Sequence, residues 1–157
     1  MRHNLAFLLL ASILPTMAFA ASSGSPCDLV DHDALVALKL ENSTSKVEHK
    51  DMPEAKGKAN PGINTCTITA RNAPLPSLIV AATTLPPDAR TIKPSCTWHA
   101  IPGASMDLGM CNATVNHMFL SFALTTKTTS DKTTFPSQVE RLVNRLAAAD
   151  SHGTPGR

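Results

Sequence analysis

Along residues 118–124, MFLSFAL, every second position is apolar and large, so Met118, Leu120, Phe122 and Leu124 share one side. That period of two predicts a strand buried on one face. Residues 65–70, TCTITA, alternate in the same way, with Cys66, Ile68 and Ala70 set against three threonines. Residues 77–85, SLIVAATTL, are apolar on both faces and predict a central strand. Residues 45–50 predict an edge strand, and residues 42–64 otherwise read as loop. Helical periods open and close this region. Asp31 is placed to cap a helix running from His32 to about Leu40, with Val30 and Leu35 as a hydrophobic staple and Leu35 and Leu38 facing the core. Near the end, Ser137 and Glu140 have the spacing of a capping box, and Val139, Leu142, Val143, Leu146 and Ala147 form one apolar stripe. Arg141 and Arg145 lie off that stripe and read as solvated. The tract TTKTTSDKTT before it reads as a turn at Ser130-Asp131 with threonines suited to an exposed strand. The pattern predicts an α+β domain: a mostly antiparallel sheet of about five strands, a short N-terminal helix, and a C-terminal amphipathic helix packed on the sheet.

The first residues do not belong to that pattern. Arg2 precedes an apolar run over residues 5–14, Pro15 breaks it, and Ala18-Phe19-Ala20 has the small-x-small form of a cleavage site. Residues 1–20 therefore read as a cleavable bacterial signal peptide, and the run is too short to span a bilayer. Residues 21–26 follow as a flexible leader, 27–150 as a single domain, and 151–157 as a disordered tail. Cys27 lies near the expected new N-terminus but lacks the sequence context of a lipid-modified cysteine. The implied location is the periplasm or the external medium.

Export changes how the four cysteines read, because that compartment is oxidising. Four cysteines allow three pairings. The segment SCTWHAIPGASMDLGMC, residues 95–111, narrows the choice. If Pro102-Gly103-Ala104-Ser105 forms a four-residue hairpin loop, Ile101 faces Met106, Trp98 faces Gly109, and Cys96 faces Cys111. Opposed residues in an antiparallel pair are close enough for a disulfide. Cys27 then pairs with Cys66 by elimination.

The same segment also carries a metal reading. Met106, Met110 and His117, with the nearby cysteines, form a soft sulfur and imidazole set of the kind that selects copper(I). A regular strand opposes it, sending Cys96 and His99 to opposite faces. No metal or other cofactor is expected in the preferred reading. No nucleophile elbow, His-Glu-x-x-His or glycine-rich phosphate loop is present, so no catalytic residues are assigned. Once Arg2 is removed, acidic and basic side chains nearly balance, and aromatic residues make up only 4% of the chain. Nucleic-acid binding needs positive charge and stacking faces, so that class is disfavoured.

The run PCDLVDHDALVALKL followed by TCTITA resembles a group of small exported bacterial domains of unknown function. They share a Cys-Asp-Leu start to a capped helix, a Cys-Thr strand opening and a closing amphipathic helix. The resemblance implies an α+β envelope-associated or secreted domain and supplies no catalytic residues. The expected function is a non-catalytic module that binds a protein partner, of the inhibitor, immunity or envelope-accessory type. The alternative is a periplasmic copper-binding protein using the Met and His ligands.

Overall fold

Two three-stranded meanders lie side by side in one fully antiparallel sheet. The computed structural model describes residues 25–53 and 61–151; the expected signal peptide, the leader up to residue 24 and the tail from residue 152 lie outside them. The first meander is β1 (Ser43–Lys50), β2 (Ile63–Ala70) and β3 (Ser77–Thr84); the second is β4 (Ile92–Ala100), β5 (Asp107–Val115) and β6 (Met118–Thr126). The strand order is β1-β2-β3-β6-β5-β4, so β3 and β6 join the halves and β1 and β4 form the edges. The sheet has six strands rather than about five. Between β5 and β6 the chain folds back at Asn116-His117, both of positive φ, between the paired residues Val115 and Met118. This is a two-residue loop of the type that matches strand twist.

One face of the sheet carries the core. Cys66, Ile68, Leu78, Val80, Cys111, Leu120, Phe122 and Leu124 point into it and are buried. Removing a side chain the size of Phe122 from water contributes about 1.5–3 kcal/mol. A 3-10 turn (Pro26–Leu29) covers the first meander, α2 (Asp131–Ser151) covers the second, and α1 (His32–Ala37) packs against α2. Ser25 and Pro26, read from sequence as leader, belong to this layer: Pro26 is buried and the Ser25 hydroxyl accepts from the Cys27 N–H.

Both helices depart from their expected lengths. Asp31 caps α1 by accepting from the Ala34 N–H at 2.9 Å, but the helix stops at Ala37. Lys39 turns left-handed at φ 58°, and the Leu40 N–H reaches back to the Leu35 carbonyl at 2.7 Å. That reversal brings Leu40 into the core, fully buried. Helix α2 begins six residues before Ser137 and absorbs the tract read as turn and strand. Ser137 is not its cap; its hydroxyl donates to the Thr133 carbonyl at 3.1 Å. At the true start the Thr133 and Thr134 hydroxyls donate to the Ser130 carbonyl. Asp131 is buried and accepts from the Thr126 hydroxyl at 2.5 Å. Pro136 removes one ladder donor inside the helix. Burial of Phe135 beside it, edge-on to Trp98 with centroids 5.8 Å apart, compensates.

Candidate binding face

Helices cover only one side of the sheet, and the strands dictate what the other side presents. Side chains alternate along each strand, so the register defines rows running across the open face. One row is Lys46, Thr67, Ile79, Ala123, Met110 and Thr97; the next is Glu48, Thr65, Ala81, Ser121, Asn112 and Ser95. Phe119 lies beyond them, between Thr83 and Thr114. The result is a field of small and hydroxylated side chains around a few large apolar ones. Ile79 is 42% exposed and Phe119 37%. β3 is central in the sheet, as its composition predicts, but only its inward face, Leu78 and Val80, is buried.

The cysteines act as staples on the opposite side. Cys27 is bonded to Cys66, tying the 3-10 turn to β2, and Cys96 to Cys111, across the β4–β5 hairpin. The hairpin pairs Ala100 with Asp107, Trp98 with Gly109 and Cys96 with Cys111, and the Ile101 N–H donates to the Met106 carbonyl at 3.1 Å. Gly103 supplies the left-handed residue of the loop at φ 75°. Gly109 has a different task. The Trp98 indole lies flat across it, and a Cβ there would sit 2.7 Å from the ring.

Met106, Met110 and His117 do not converge. Met106 precedes β5 at one end, His117 follows it at the other, and Met110 lies on the open face between them. The nine residues of β5 separate the outer two by roughly 30 Å. His99 projects to the open face, opposite the side that holds Cys96. Among the described residues no group of three or more His, Cys, Asp or Glu side chains gathers to hold a metal ion.

Two polar constellations stand apart from both faces. Asp31, besides capping α1, receives Arg141 through two hydrogen bonds of 2.7 and 2.5 Å, and Arg145 through a third. Arg145 also donates to the Leu29 carbonyl at 3.0 Å. The Arg141 hydrogen bonds, with the Ala34 N–H and both positive charges, lower the Asp31 pKa to about 2. These arginines are therefore a clamp between the two covering helices, not merely a solvated stripe; 110 residues of sequence separate the partners. At the β1 edge, His49 bonds to Asn64 at 2.7 Å and Asp51 at 3.0 Å, and its pKa is raised by both. A shallow concavity beside it is lined by Glu48, His49, Lys50, Ile63 and Thr65. Asp51 is almost wholly exposed, so water screens the pair.

Two disulfides are consistent with a secreted or periplasmic protein. Among the described residues no helix is long and apolar enough to cross a membrane. No family model, curated protein or solved structure matches this chain.

Proposed function

We propose that this chain is an exported, disulfide-stapled binding module whose partner is a protein that docks on the open face of the sheet. The observation that carries this reading is the exposure of Ile79 and Phe119 on a rigid six-stranded platform whose other face is already filled. Large apolar side chains set among small hydroxylated ones provide contact area without a charge to desolvate, as the centre of a protein interface requires. The N-terminal signal-like segment supports an encounter outside the cytoplasm. The kinds of partner that fit are a protein to be inhibited, a toxin to be neutralised, or an envelope assembly to be joined.

Bait purified from the exported fraction, with both disulfides formed, tests this in envelope extract beside Ile79→Lys and Phe119→Lys. Both positions are exposed, so the variants keep the wild-type thermal melt. The expected result is a specific protein retained by wild type and lost from both variants. Equal capture by all three, or robust turnover of a substrate panel with no capture, overturns the proposal.

A further inference from the structure

The two edges of the sheet are not equivalent. β4 carries Pro94 and a register shift between Ile92 and Ser95, features that obstruct pairing with another strand. β1 is regular through all eight of its pairs with β2. The Arg71 N–H donates to the Asn42 carbonyl at 2.9 Å, one step beyond the pair Ser43 and Ala70. Even-numbered residues of β1 therefore turn their backbone groups to β2. Ser45, Val47 and His49 turn theirs outward. All three are exposed, Val47 at 51%.

We infer that β1 is a self-association edge whose occupant is β1 of a second copy, antiparallel, with the two-fold axis at Val47. This goes beyond the proposed partner on the open face: the contact runs along the backbone edge of β1, with Lys46 and Glu48 at the margin of that face. In that register Val47 meets Val47 of the second copy, and Ser45 meets His49. These are the positions whose backbone groups face outward, so each pair exchanges two hydrogen bonds. Between them Lys46 meets Glu48 and Glu48 meets Lys46, at the non-hydrogen-bonded positions where cross-strand side chains approach most closely. Moving the axis to residue 46 opposes lysine to lysine; moving it to residue 48 opposes glutamate to glutamate. Among these three registers the charge pattern selects the one centred on Val47. Within one copy Lys46 and Glu48 already lie 2.6 Å apart, so the four charges form an alternating cluster.

The test is sedimentation equilibrium of the exported, oxidised protein, alone and as variants. Wild type is expected to show a concentration-dependent monomer–dimer equilibrium that weakens with salt. Lys46→Glu gathers four carboxylates at the axis and Glu48→Lys four ammonium groups; each weakens self-association about tenfold or more. The double swap K46E/E48K restores it. Mixing the two single variants produces a heterodimer that neither forms alone. Lys46 and Glu48 are exposed, and unchanged thermal melts confirm folding. A wild type that stays monomeric at millimolar concentration, variants that associate as wild type does, or a mixture no more associated than its components overturns the inference.

Discussion

Protonating Asp31 removes the negative charge that holds the Ala34 N–H and both arginines of α2 in one step. Its folded pKa of about 2 lies below the ordinary aspartate value of 3.8, so the ionised form is the one that folding favours. The associated stability is fully present above about pH 4 and is lost as pH falls through 2. The shift corresponds to roughly 2.5 kcal/mol. Both guanidiniums are partly exposed and screened by water, so about 1–2 kcal/mol is expected. Urea melts of wild type and Asp31→Asn, taken at pH 6 and pH 2, check this. The variant is less stable at pH 6 by that amount, and the gap closes at pH 2.

Among the contacts between the β4–β5 hairpin and α2 is one aromatic pair, Trp98 with Phe135, and Gly109 is the residue that permits it. Gly109→Ala places a methyl group against the rigid indole of Trp98, which is held from the other side by Phe135. Overpacking of this kind costs about 1–3 kcal/mol. Urea denaturation followed by the fluorescence of the single tryptophan measures the loss and reports the displaced ring through a shifted native emission maximum. Much of this element scale was legible in sequence. The alternation over residues 118–124 marked the buried face, Asp31 marked the start of α1, and counting outward from Pro102-Gly103 placed Trp98 over Gly109. What local patterning could not give was decided at long range. Pro136 and the threonines before it speak against a helix, and only burial of Phe135 and Asp131 overrides them. The arginine clamp was illegible because its acceptor is a helix cap at the other end of the chain. The open face was missed because apolar residues on both sides of β3 suggest two covering layers. One six-residue helix and one long helix suffice for only one, and that helical inventory was the available signal.

For the molecule as a whole, each half of the sheet has its own covalent staple. The Cys27–Cys66 bond spans 39 residues and Cys96–Cys111 spans 15. Chain-entropy reasoning gives about 4 kcal/mol for the first and about 3 kcal/mol for the second. Paired Cys→Ser replacements, compared by urea denaturation, should follow that order. The long bond fixes the covering turn to the sheet, whereas the short one reinforces a hairpin that its own turn already closes.

The unlike edges have a consequence for growth. A sheet with two adhesive borders can recruit strands at either side without limit and so seeds filaments. Here one border is bent and interrupted by proline while the other matches only its own reflection. Once two copies have joined, each has spent its single adhesive border, and the ends that remain repel further addition. Crowding then fills a closed pair of twelve strands and leaves nothing from which a fibre could start.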